Sequence, residues 1–225
     1  MKIVSPSFEI LAMTPEPLQL LELAGRTCYK SEDKISPGSA DEFIKKLVNK
    51  GHHSVIEHAS ITVKFVCDRG VSHELVRHRL ASFSQESTRY ANYSHERFGS
   101  EITVIRPLFW PPDTPEYNQW YEAMAAAEKA YISLVKKMKA SPEQARSVLP
   151  NSLKTEIIMT ANLREWRHVL ELRCSARSHP QMRELMLPLL AELNRRLPAV
   201  FGDIYKKYEA AVAEMEQTIA RLDRH

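Results

Sequence analysis

Between residues 77 and 90 the chain reads Arg77-His78-Arg79-Leu80-Ala81-Ser82-Phe83-Ser84-Gln85-Glu86-Ser87-Thr88-Arg89-Tyr90. A guanidinium presents a rigid fork of donors that matches phosphate. Serine, threonine and glutamine side chains bond phosphate oxygens and base edges. Residues of these types, packed this closely, are what a nucleotide pocket built from side chains needs. The six glycines stand at 25, 38, 51, 70, 99 and 202. That spacing rules out both G-x-G-x-x-G and a Walker loop, so no glycine-rich backbone cradle is available for phosphates. On the arginines alone, a solvated basic loop is the plainer reading. The residues around them decide.

Other candidate chemistry is weaker. His73-Glu74-Leu75-Val76-Arg77-His78 looks at first like a zinc-protease motif, which needs histidines four apart on one helix face. Here they are five apart, roughly 140° around a regular helix. His52, His53 and His58 have no cysteine or carboxylate pattern in support, and no metal is expected. Spacing alone does not exclude a Ser-His-Asp arrangement, but no nucleophile-elbow motif is present. Three cysteines, Cys28, Cys67 and Cys174, are an odd and widely spaced set. They fit a reducing compartment better than a disulfide framework. Cys67 ends an apolar strand, and Cys28 sits at a helix end whose dipole disfavours a thiolate. Cys174 follows Arg173, and a neighbouring cation favours a thiolate. Adjacent helical residues point about 100° apart, so Cys174 need not share the pocket of Arg173.

The elements that position these residues follow from periodicity. Residues 2–13 have strand character, and Pro15 and Pro17 open a helix through about Tyr29 with Leu18, Leu20, Leu21 and Leu23 as its core face. A helix is expected from Ser39 to near Gly51, and a strand over 59–67, where β-branched residues alternate. Helix is expected from Gly70 to about Leu80, irregular chain over 82–95, and a short strand over 101–106. Thr114 caps a helix that runs to about 140, and a shorter one follows over 142–149. Residues 153–161 form a strand. Asn162 then opens a helix with Glu165 three residues on, a capping-box pattern. Helices over 180–197 and 203–223 complete an α+β fold in one domain, with a small, mainly antiparallel sheet and several long helices.

With 225 residues, 44% apolar and 26% charged, the chain can bury a sizeable core. No apolar run reaches about 18 residues, so no membrane span is expected. Pro6, Glu9 and Pro15 interrupt any signal-peptide core, and a cytoplasmic location is expected. A net charge of +3 is too small to argue for nucleic acid.

Arg77-His78-Arg79, seven further residues and then Ser87 resemble the signature of the flavin-dependent thymidylate synthases, and Thr88-Arg89-Tyr90 matches its continuation. Three more segments resemble that family in the expected order: Arg26-Thr27-Cys28-Tyr29; His53-Ser54-Val55-Ile56-Glu57-His58; and Asn162-Leu163-Arg164 with His168 and Leu172-Arg173. The resemblance covers about residues 20–190. It implies FAD binding by Ser54, Arg77, His78, Arg79, Gln85, Asn162, Leu163, Arg164 and His168. It implies dUMP binding by Glu74, Leu75, Val76, Arg77, Gln85, Glu86, Ser87, Thr88, Arg89, Arg146 and Arg173, with Arg173 catalytic. Leu163, Glu86 and Thr88 are expected to contribute through their backbones. Glu74 stands where some members carry Gln, and Ser84 where many carry Asn. A carboxylate near phosphate is repelled, so Glu74 is expected to face the sugar or base.

The implied reaction carries a methylene from 5,10-methylenetetrahydrofolate to carbon five of dUMP, with NADPH reducing FAD and no cysteine nucleophile. The resemblance also implies a homotetramer with active sites between subunits. Helix geometry points the same way. On a regular 162–173 helix, His168 lies about 140° from Arg173, so two pockets in different subunits would use them more easily than one. Two other readings compete: a basic nucleic-acid module, which the modest charge disfavours, and an inert flavoprotein or nucleotide sensor on the same scaffold.

Overall fold

The computed structural model describes residues 1–95 and 99–222. Four strands form an antiparallel sheet in the order β2 (Ser7–Met13), β3 (Ser60–Asp68), β6 (Lys154–Asn162), β4 (Ala81–Gln85). A separate parallel pair joins β1 (Lys2–Val4) to β5 (Thr103–Ile105). The segment expected as one strand over 2–13 is therefore two, divided at Ser5-Pro6. Proline has no N–H to give a ladder, which accounts for the break.

The central strands follow their alternation. In β3, Ile61, Val63, Phe65 and Cys67 are fully buried, while Thr62, Lys64 and Val66 face the other way. In β6 the inward row is Thr155, Ile157, Met159 and Ala161. The inner face packs under α1 (Pro17–Thr27), α2 (Ser39–Asn49), α6 (Leu163–Arg173), α7 (Pro180–Arg196) and α8 (Pro198–Leu222). A smaller core gathers Trp120, Met124 and Tyr131 of α4 (Pro115–Lys136) around Val104 and Leu153.

Further expectations need correction. The helix expected from Gly70 to about Leu80 stops at Leu75, and residues 76–80 are not helical. Residues 81–85 are an edge strand, not irregular chain: Ala81 and Phe83 face the core, while Ser82 and Ser84 are exposed on the other sheet face. With one face polar and one edge free, the strand carries little apolar signal. Leu21 is the fully buried leucine of α1, whereas Leu20 and Leu23 are 38% and 49% exposed. The last helix starts at Pro198, not 203, because proline is well suited to a first helical turn. Its expected end at residue 223 lies outside the described residues.

The sheet register decides where chemistry can happen. Ser60 pairs with Asn162, and Ala81 with Ala161. The start of β3, the end of β6 and the start of β4 therefore meet at one end of the sheet. Both central strands run into a helix without a loop. Asp68 ends β3 and caps α3 (Arg69–Leu75), its Oδ1 accepting from the Val71 amide at 2.6 Å. Asn162 ends β6 and caps α6, its Oδ1 accepting from the Glu165 amide at 2.9 Å. The chain then returns from α3 to β4 through residues 76–80, which carry Arg77-His78-Arg79.

Candidate active site

A cavity of about 800 Å³ lies at this end of the sheet, lined by Arg77, His78, Arg79, Asn162, Arg164, His168 and Arg173, with Glu57, Leu80, Glu165 and Leu172. Its walls carry four arginines against two carboxylates, so it favours anions. Glu57 meets Arg164 at 2.6 Å. Arg77 and Arg79 are exposed and form no ion pair among the described residues. Two unpaired guanidinium groups at a cavity fit phosphate or the electron-rich edge of a flavin.

Arg173 is held from two sides. Its Nη1 meets Glu74 Oε2 at 2.5 Å and its Nη2 donates to the Glu74 carbonyl at 3.0 Å. Its Nε donates to His78 Nε2 at 3.0 Å. Glu74 thus pairs with Arg173, and its charge is balanced. His78 is buried, and its ring meets that of His168 edge-on with centroids 5.7 Å apart. Burial, then the charges of Arg173 and His168, lower the His78 pKa to about 4, so the ring is neutral near pH 7. His78, Glu165 and His168 place potential ligand atoms within 4.8 Å of one another. The His78 atom that faces Glu165 is Nδ1, and the charge of Arg173 on the other edge of the ring opposes a cation there.

His168 and Arg173 therefore line one cavity of one chain, contrary to the expectation from helix angles. The long arginine side chain accounts for the difference: helical side chains lean toward the N-terminus, which brings the guanidinium back toward the turn that carries His168.

The other predicted residues lie elsewhere. Ser54 lines a second cavity of about 690 Å³, with Arg26, Cys28, Tyr29, Phe43, Lys46 and His52 among its neighbours. Gln85 donates to Ser72 Oγ at 2.8 Å. Leu75 and Leu163 bury their side chains completely, and the Leu163 amide is spent on Ala59. Val76 is 39% exposed. Glu86 bonds Lys154 and Tyr93 through its carboxylate, and its amide donates to the Glu156 carbonyl. Arg146, just after α5 (Pro142–Ala145), donates to buried Thr88 at 3.4 Å, and Arg89 pairs with Glu143 at 2.7 Å. The Ser87 hydroxyl accepts from the Arg89 amide. Ser87, Thr88, Arg89, Arg146 and Glu143 thus lie at the far end of β4. The chain from Leu80 to Glu86, largely extended, spans about 20 Å.

Sequence reasoning passed over Glu57, Glu143 and Glu165. Glu57 lies within the quoted His53–His58 segment, while Glu165 registered only as a capping partner. Two of the three cysteines are withdrawn from solvent. Cys67 and Cys174 are buried, which pushes both thiols up to about 12. The Cys174 Sγ points to the Met186 carbonyl, away from Arg173. Cys28 lines the second cavity.

Comparison with known proteins places the chain in a family. Residues 9–199 match the family model "Thymidylate synthase complementing protein". The chain is 36% identical over 202 residues to the flavin-dependent thymidylate synthase of Mycobacterium avium, covering 82% of this chain and 78% of the relative. It is 37% identical over 202 residues to that of Geobacter sulfurreducens, covering 86% and 84%. The crystal structure of Thymidylate Synthase X from Helicobacter pylori with FAD and dUMP superposes with a TM-score of 0.73 at 25% identity, covering 88% of this chain and 98% of that one. Matched by this family model over residues 9–199 and by these relatives along most of their length, the chain belongs to the flavin-dependent thymidylate synthase family.

Proposed function

We propose that the protein is a methyltransferase that converts dUMP to dTMP in the cytoplasm, with 5,10-methylenetetrahydrofolate as carbon donor and FAD reduced by NADPH. The observation that carries this reading is the gathering of Arg77, His78, Arg79, Asn162, His168 and Arg173 around one cavity. Bound flavin, once reduced, supplies the hydride; the protein supplies position and charge. Arg77, Arg79 and Arg164 hold anionic and electron-rich groups of the cofactor, with Ser54 contributing from the second cavity. Arg173 is too basic to take a proton. Its fixed charge instead stabilises the uracil ring as the imide nitrogen ionises, making carbon five the better nucleophile. Ser87, Arg89 and Arg146 hold the dUMP phosphate.

The test is direct. Purified protein should take up FAD at micromolar concentration and co-elute with flavin absorbance. With dUMP, the folate and NADPH it should form dTMP. Failure to retain flavin counts against the assignment.

We further propose a homotetramer whose active sites are shared between subunits. The support is the separation along β4: a nucleotide is shorter than the stretch between the Arg77–Arg79 segment and Ser87–Arg89, so one chain does not bring both groups to one dUMP. Leu80, 77% exposed, and Leu172, 47% exposed, also leave apolar surface at the cavity to be covered. Arg89→Ala and Arg173→Ala proteins should each be nearly inactive alone. Mixed under conditions of subunit exchange, they should regain activity, because some sites draw both intact residues from different chains. No recovery in demonstrably mixed oligomers would refute sharing.

A further inference from the structure

Glu165 has no part in the reading given so far, yet it is one of the few buried carboxylates in the protein. It sits in the first turn of α6 and lines the main cavity. The Asn162 side chain accepts from its amide, but its carboxylate faces His78, with Oε1 at 3.5 Å from Nδ1. The side chains of His78 and Glu165 are only 3% and 7% exposed, so little water competes for this contact.

The opposite edge of the imidazole fixes the proton. A guanidinium donates and never accepts, so the His78 Nε2 that takes the Arg173 Nε–H must carry a bare lone pair. In a neutral ring the proton then sits on Nδ1, the atom that faces Glu165. The two contacts are mutually dependent. A donor in place of the Glu165 carboxylate would favour a proton on Nε2, and two N–H groups would then confront each other at Arg173. Glu74 would be left as the only hold on the guanidinium.

We propose that Glu165 is a positioning residue: by keeping the His78 proton on Nδ1 it leaves Nε2 free to grip Arg173, and so fixes the guanidinium that meets the uracil ring. The inference rests on the role of Arg173 proposed above. The low His78 pKa agrees with it, since a protonated ring could not accept from Arg173.

The experiment uses flavin-free protein labelled with ¹⁵N in histidine, with His78 assigned by difference from His78→Asn. Wild-type His78 should be protonated on Nδ1. In Glu165→Ala, which offers the Nδ1–H no acceptor, part of the population should move to the Nε2 tautomer. In the FAD-loaded enzyme the same substitution should lower kcat about 10- to 100-fold, the scale of a misplaced catalytic group. KM for dUMP and FAD affinity should stay within about twofold, because Glu165 is proposed to act on the alignment of Arg173 rather than on ligand binding. A wild-type His78 protonated on Nε2 would overturn the proposal without any variant. So would an unchanged tautomer or an unchanged kcat in Glu165→Ala. If the tautomers behave as expected but neither protein binds flavin or forms dTMP, the assigned reaction fails for this chain while the Glu165–His78–Arg173 arrangement stands.

Discussion

Arg173→Ala should lower kcat for dTMP formation by about 10²- to 10³-fold, the loss seen when a preorganised charge-stabilising donor is removed. The side chain is only 14% exposed and is held by Glu74 and His78 before any substrate arrives. Its orientation is therefore set by folding, not at the moment of reaction. FAD uptake should survive, because Arg77, Arg79, Asn162 and His168 remain. Arg173→Lys is informative beside it. Lysine keeps the charge but has one nitrogen where arginine has three, so it cannot engage both His78 and the two Glu74 oxygens in the same way. It should recover a small part of the loss. A protein that loses flavin together with activity would place Arg173 in cofactor binding instead. Full activity in Arg173→Ala would remove it from the chemistry altogether.

Trp166→Ala should produce the largest loss of stability in α6, about 3–5 kcal/mol for truncating a buried aromatic ring. The ring is fully buried against Phe65, and its Nε1 donates to the Ile61 carbonyl at 3.0 Å. For a protein of this size that corresponds to a midpoint roughly 10 °C lower in thermal unfolding. Trp166→Phe keeps most of the packing and orphans the carbonyl, at a cost of about 1–3 kcal/mol. Calorimetry on both separates the two contributions. Equal losses would mean that the hydrogen bond dominates, and a near-neutral Trp166→Ala would contradict the packing. The effect should reach function, because the helix that Trp166 anchors also carries Glu165, His168 and Arg173. A second anchor is Arg167, which bonds the Val200 carbonyl and pairs with Asp203 at 2.7 Å, tying α6 to α8.

What the sequence disclosed follows from how much signal each element needs. β3 and β6 carry a full alternating row, and both were legible to within a residue. Residues 81–85 gave up their strand only to the structure, because Ser82 and Ser84 look like loop residues when nothing states that they are exposed on one face of a sheet. The cavity residues were legible through their order along the chain. Their grouping was not: Arg77 and Arg89 stand in one signature but at opposite ends of β4, and strand placement was needed to see it. Helix angles misjudged His168 and Arg173 because they locate Cβ atoms, whereas the arginine works several bonds farther out. Glu165 was recognisable as a capping residue, yet its carboxylate is turned to His78. α5, by contrast, carries a complete capping box between Ser141 and Gln144.

The loopless passage from β6 into α6 also governs how such a gene can change length. One codon inserted between Met159 and Asn162 would invert the parity of the strand beyond it, sending inward side chains outward. One codon inserted between Leu163 and Trp166 would turn the rest of the helix by about 100° and remove His168 and Arg173 from the cavity together. Neither change has a flexible segment nearby in which to be absorbed. The turn between α4 and α5, over 137–141, has no such constraint and can lengthen without disturbing the sheet register. Viable insertions and deletions should therefore collect in that turn and leave residues 154–173 at fixed length.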